Sequence, residues 1–274
     1  MIERQVCGLC NSDLIGSSHG QLVIDQPDRF ERALGLMAKP GLRTWMRCES
    51  CSNATQSYSY DDQILAKIET SYYDIDFSGS SLFDKYSRVL GLPPHKSDNY
   101  FRVRRILKFL RMSGDAPDKL SYLDVGSGLG VFPKALQANG CFDLSIVEPD
   151  KTARAHLEKV YDSVIYESLD AVSQTFDVIT VNKVLEHVRK PIEFLRELTS
   201  RVNDTGVIYV EVPSVNSIHK CQSADNALGA LHRYLFSLEG LELLLRKFDF
   251  EMVFGEQIFE PSGKYSVYGF FKKC

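Results

Sequence analysis

From residue 119 onward, short apolar runs alternate with amphipathic stretches. Tyr122, Leu123 and Val125, then Leu144 to Val147, Val164 to Tyr166, Phe176 to Val181 and Val207 to Val212, read as buried strands too short to be core helices. Between them lie helical patterns. Phe132, Ala135 and Leu136 form one inward face, with Pro133 in the first turn where a missing N–H costs nothing. Thr152 to Val160 is a second helix, and Pro191 opens a third that buries Ile192, Leu195 and Leu198. Ser237 caps a fourth, whose Leu238, Leu241, Leu244, Leu245 and Phe248 face inward, and strands follow at about 250–259 and 265–272. Strands alternating with helices predict an α/β domain built on a parallel sheet.

The first 118 residues are patterned differently. Gln21 to Ile24 and Arg43 to Arg47 read as strands, with a helix from Asp28 to Met37 stopped by Lys39-Pro40-Gly41. Tyr58 to Tyr86 is rich in aromatics and serines (Tyr72, Tyr73, Phe77 and Phe83 among them) and serves either packing or a substrate lid. After Leu92-Pro93-Pro94, a helix from Asn99 to Met112 buries Val103, Ile106, Leu107 and Leu110, which turns Arg102, Arg105, Lys108 and Arg111 toward solvent. Ser214 to Ala230 is a polar insertion, expected to be a lid. The expected division is 1–57, 58–118 and 119–274.

Four of the seven cysteines form two C-x-x-C pairs, Cys7/Cys10 and Cys48/Cys51. In a reducing compartment such pairs suggest a tetrahedral Zn²⁺ site, with a redox pair as the alternative. Residues 1–57 then read as a zinc ribbon with an insertion, folded largely by its metal. Cys141, Cys221 and Cys274 are scattered singly. Net charge is −4, and residues 1–70 carry seven Lys/Arg against nine Asp/Glu, which makes a nucleic-acid partner unlikely. The N-terminus lacks the apolar core of a signal peptide and no stretch is long and apolar enough to span a bilayer, so a cytoplasmic location is expected.

Gly126, Gly128 and Gly130 follow the first C-terminal strand directly, and Glu148 ends the second, 22 residues beyond Gly126. That is a βαβ nucleoside site, with glycines at the turn and a carboxylate for the ribose diol. Val131 stands where a dinucleotide fingerprint wants glycine or alanine, and Asp124 would oppose a pyrophosphate but suit a cation. S-adenosylmethionine, a sulfonium without phosphate, fits better.

With Leu123-Asp124-Val125-Gly126-Ser127-Gly128 as its first motif, residues 119–274 resemble the class I S-adenosylmethionine-dependent methyltransferases. The resemblance implies a Rossmann-like sheet, mostly parallel, ending in an antiparallel hairpin. It implies cofactor contacts from Asp124, Gly126, Ser127, Gly128, Gly130, Glu148 and Pro149, from Ser168 and Leu169 after strand three, and from Asn182 and Lys183 after strand four. Val184-Leu185-Glu186-His187-Val188 matches a segment of small-molecule methyltransferases. A ribbon, a Tyr-Tyr segment, a basic helix and this core together resemble bacterial enzymes that methylate sugars in polysaccharide and antibiotic pathways. In those, a histidine before the last helix, here His232, acts at the acceptor, while His187 either shares that role or holds its loop. The sugar C-methyltransferases carry Tyr-x-Glu-His there, whereas this chain has Gly229-Ala230-Leu231-His232. The expected reaction is therefore transfer to a hydroxyl or amine of a sugar, nucleotide-sugar or glycan. An RNA methyltransferase with a zinc finger and a sugar C-methyltransferase are the alternatives.

Overall fold

Two sheets share the chain, whose computed structural model describes residues 6–14, 21–73, 81–220 and 227–274. In the N-terminal part, β1 (Gln21–Ile24) is followed by α1 (Arg29–Ala33), β2 (Arg43–Arg47), β3 (Ala54–Tyr58), α2 (Asp62–Thr70) and α3 (Leu82–Leu90). Asp28 starts α1 with a reciprocal capping box to Glu31, and Gly35, at φ +80°, lets the chain leave after little more than one turn. The helix expected over 28–37 is therefore shorter. The polar strand β3 and the helices α2 and α3 were not expected, because their apolar positions are few and tertiary packing decides them.

Then come α4 (Asp98–Met112), β4 (Tyr122–Val125), α5 (Val131–Gln137), β5 (Leu144–Val147), α6 (Lys151–Val160), β6 (Ile165–Tyr166), β7 (Phe176–Asn182), α7 (Pro191–Thr199) and β8 (Val202–Pro213). The chain ends with α8 (Ser217–Lys220), β9 (Tyr234–Leu235), α9 (Leu238–Arg246), β10 (Phe250–Phe259) and β11 (Tyr265–Lys273). The main sheet runs β10-β11-β8-β7-β4-β5-β6, with β4 to β8 parallel and β10 and β11 an antiparallel hairpin on one edge. One face packs on α7 and α9 through Leu195, Leu198, Leu241 and Leu245; the other packs on α4 and α5 through Ile106, Leu110 and Leu136. The parallel strands end on one rim, the ligand edge of such a sheet.

The small sheet, β1-β2-β3-β9, ties the two parts together, because β9 belongs to the C-terminal segment. Residues 228–233 are held from the N-terminal side: Asp28 accepts the Ala230 N–H (2.6 Å), Tyr58 donates to the Ala230 carbonyl (3.0 Å), and Arg43 donates to the Leu228 carbonyl. The described flanks of the expected lid, 214–220 and 227–230, are mostly buried rather than polar cover. Cys221 and Phe77 lie outside the described residues.

The face expected for Arg102 and Arg105 is corrected too. Both guanidinium groups turn inward onto Glu211, which also meets Tyr209, and Arg102 reaches Glu260 (3.3 Å). Glu211 is fully buried, and burial alone would raise its pKa. The cations around it win and hold it well below the usual carboxylate range.

Candidate functional site

At the tip of β4 the chain turns through Gly126 (φ +74°), Gly128 (+56°) and Gly130 (+78°). Beneath the turn, Asp124 is buried, and its carboxylate accepts from Thr180 (2.6 Å), Ser127 (2.6 Å) and Asn182 (3.2 Å). Burial pushes its pKa up to about 6 against those bonds. Asp124 and Asn182 thus brace the turn, and Gly130 starts α5 behind it. A Cβ on Gly128 would meet nothing nearer than the Tyr73 hydroxyl at 3.6 Å, so a ligand can approach the backbone there. A Cβ on Gly126 would lie 2.4 Å from Val184 Cγ2. Gly126→Ala should therefore destabilise the fold by about 2–4 kcal/mol, combining a left-handed alanine with a clash. In urea melts, Val184→Ala should restore only the clash part; full recovery would refute the contribution from φ.

The turn opens on a cavity of about 600 Å³ that also takes in Glu148, Pro149, Ser168, Leu169, Lys183 and His187. Glu148 accepts from Gly128 N (2.7 Å) and Asp150 N (3.0 Å), and burial raises its pKa. Five carboxylates line this cavity (Glu69, Glu148, Asp150, Glu167 and Glu197) against one lysine, Lys183. Glu69 is ion-paired with Arg189 (2.6 Å) and Arg233 (2.7 Å), and the four other carboxylates suit a sulfonium and an ammonium and disfavour a pyrophosphate. Lys183 itself, at φ +57°, turns its ammonium onto Glu260 (2.8 Å) and Ser266. Tyr72 and Tyr73, packed edge to face at 5.0 Å, also line it.

A second cavity, of about 340 Å³, shares Tyr72, Lys183, His187 and Leu231 with the first. His187 and His232 pack edge to face at 4.8 Å. His187 Nδ1 donates to the Leu231 carbonyl (3.0 Å) and His232 Nδ1 to the Ala227 carbonyl (2.8 Å), and among the described residues neither Nε2 has a hydrogen-bond partner. Burial holds His232 well below the ordinary histidine value, so it is neutral at pH 7. Glu186, also in this wall, is fully buried, among the described residues neither of its carboxylate oxygens is hydrogen-bonded, and it lies within 4.8 Å of a ring nitrogen of each histidine. Sequence reasoning passed over Glu186, although it adjoins His187 in the quoted motif.

Away from the rim, Cys7, Cys10, Cys48 and Cys51 converge, with all four Sγ atoms within 4.8 Å of one another. Cys7–Cys51 is 3.7 Å and Cys10–Cys48 3.5 Å, close to the ~3.8 Å edge of a tetrahedron with Zn–S bonds of about 2.3 Å. The two knuckles repeat one design. Asn11 N donates to Cys7 O and Ser52 N to Cys48 O (both 2.9 Å), and Asn11 and Ser52 take φ +63° and +58°. The donor set and spacing fit zinc.

Comparison with known proteins agrees with this geometry. The family model described as "Methyltransferase domain" matches residues 99–253. The ubiquinone biosynthesis O-methyltransferase of Parvibaculum lavamentivorans is 30% identical over 101 residues, which is 34% of this chain and 40% of the relative. Its mitochondrial namesake from Saccharomyces cerevisiae is 30% identical over 131 residues, 43% of this chain and 41% of the relative. The chain thus spans about two fifths of these relatives' length. Among solved structures, the Burkholderia thailandensis 1,6-didemethyltoxoflavin-N1-methyltransferase superposes with TM-score 0.56 at 14% identity, covering 84% of this chain and 95% of its own. Magnesium protoporphyrin IX methyltransferase from Synechocystis, with bound S-adenosylmethionine, gives 0.54 at 14% identity, covering 80% of this chain and all 100% of its own. The chain belongs to the methyltransferase domain family.

Proposed function

We propose that the chain methylates a hydroxyl group of a small polar molecule, with His187 as the base and a structural zinc holding the N-terminal part. The observation that carries this is the position of His187, in the wall common to the cofactor cavity and the smaller one. S-adenosylmethionine supplies a methyl group already activated on sulfur. The residues then have to hold the cofactor, exclude water and accept one proton. Glu148 would hold the ribose diol, and the strand-three exit at Ser168 and Leu169 would cover the adenine. Glu148→Ala should weaken S-adenosylhomocysteine binding by about 1–3 kcal/mol in calorimetry; unchanged affinity would remove the ribose role.

For the acceptor, His187 Nε2 would take the hydroxyl proton, and the Glu186 carboxylate would stabilise the imidazolium so formed. The smaller cavity is lined by Lys183, Lys264, Asp28 and Ser266 as well as the histidines, which favours a hydroxyl-rich acceptor such as a sugar or nucleotide-sugar. The curated relatives are named for O-methylation. Incubation with isotopically labelled cofactor and fractionated metabolites tests this reading: label should enter a small polar product as an O-methyl ether. Label found only in RNA, or on carbon or nitrogen, would refute it.

A further inference from the structure

The outward face of α4 offers a second binding surface, outside both cavities. Tyr100, Phe101, Arg104, Lys108, Arg111 and Met112 are all exposed and fall on one side of the helix, at spacings of three, four and seven. With Arg105 and Asn139 they line a groove of about 710 Å³ in which no carboxylate takes part. Arg105 is spent on Glu211, but among the described residues none of Arg104, Lys108 and Arg111 has a carboxylate partner. Those three cations extend over about 10 Å of helix. A cationic band of this kind stands out on a chain of net charge −4. Apolar groups flank it, with Phe101 39% exposed at one end and Met112 77% at the other.

We propose that this face of α4 docks on an anionic phospholipid bilayer. The cations would meet headgroup phosphates, and Phe101, Tyr100 and Met112 would enter the interface, where a charged band with apolar flanks is stable. The rings argue for a bilayer over single-stranded nucleic acid, which binds by stacking bases on free ring faces. Arg104 already covers the Tyr100 face at 5.5 Å, and Phe101 meets Tyr100 edge to face at 5.3 Å. Buried Val103, Ile106 and Leu107 hold the helix on the sheet, so docking needs no unfolding. The N-terminal turn of α4 supplies Asn99 and Arg102 to the opening beside Gly126 and Gly128, so a docked protein would hold that opening near the membrane.

The full chain should cosediment with phosphatidylcholine vesicles containing half phosphatidylglycerol, and not with pure phosphatidylcholine. Each cation is worth on the order of fivefold in affinity, so Arg104→Glu/Lys108→Glu/Arg111→Glu should lose about a hundredfold while melting normally. Phe101→Ser/Met112→Ser should remove the binding that survives high salt. Equal sedimentation with both vesicle types, no sedimentation with the anionic ones at low salt, or full binding by the triple charge variant would overturn the proposal. Tighter binding to a single-stranded RNA oligonucleotide, abolished by the same variant, would reassign the groove and overturn it as well.

Discussion

Cys48→Ser should lower the melting midpoint by more than about 10 °C, and wild-type protein purified without chelator should contain about one zinc. The magnitude follows from the site. Thiolate zinc contributes about 10–16 kcal/mol to isolated zinc-binding peptides. Packing here retains part of that, because Cys7, Cys48 and Cys51 share a core with Leu241 and Leu245 of α9. A loss of about 5 kcal/mol, at about 2–4 °C per kcal/mol for a chain of this size, gives the expected shift. The effect should reach the acceptor cavity before the cofactor cleft. Lys247, just past α9, donates to the Leu9 carbonyl (2.9 Å) and Asn53 accepts the Ser237 N–H (3.0 Å), so the two knuckles hold both ends of α9, whose first end follows directly on the segment that carries His232. Turnover should fall with S-adenosylhomocysteine affinity nearly unchanged. A metal-free protein with an unchanged midpoint would eliminate the zinc.

His187→Ala should reduce kcat by about 10²–10⁴ with cofactor affinity intact, the usual range for a lost general base. The sequence pointed first to His232, the histidine before the last helix. In the folded chain, His187 faces both cavities, whereas His232 lines only the smaller one. His232→Ala should therefore cost less than about tenfold in kcat and act mainly on KM. If the two losses are reversed, His232 is the base. Glu186→Gln, which keeps shape and removes charge, separates a role for the carboxylate from packing. Its kcat should fall while its melting point rises or holds, since burying an unpaired charge is costly. A fall in both would make Glu186 structural.

The candidate cleft at the glycine turn was legible because its parts are local. Positive φ at Gly126 and Gly128, and an acid at the end of the next strand, are written within a short stretch of sequence. The five parallel strands were legible for the same reason, since each contains a short apolar run with its own turn, whereas the antiparallel hairpin came only from the resemblance, β10 being mostly exposed. What escaped depends on distant partners. Arg102 looked like a surface cation because Glu211 and Glu260 stand 109 and 158 positions away. β9 has only two residues, and nothing in Tyr234-Leu235 announces pairing with Ala54 and Thr55. Tyr72 and Tyr73 were seen as aromatics suited to packing or to a lid; only the fold brings them over the glycine turn.

That short pairing of β9 with β3 bears on how new specificities could be built. One wall of the acceptor cavity, residues 227–232, is laid down by the catalytic half of the chain but shaped by Asp28, Arg43 and Tyr58. A chimera that exchanged only the methyltransferase half with a homologue would inherit a cofactor cleft with a misfitted acceptor wall. A bare catalytic core, truncated before β4, would keep the glycine turn and lose the supports for the wall that carries His232. Recombination for altered acceptors should move residues 6–73 and 227–237 as one block, although most of the chain lies between them.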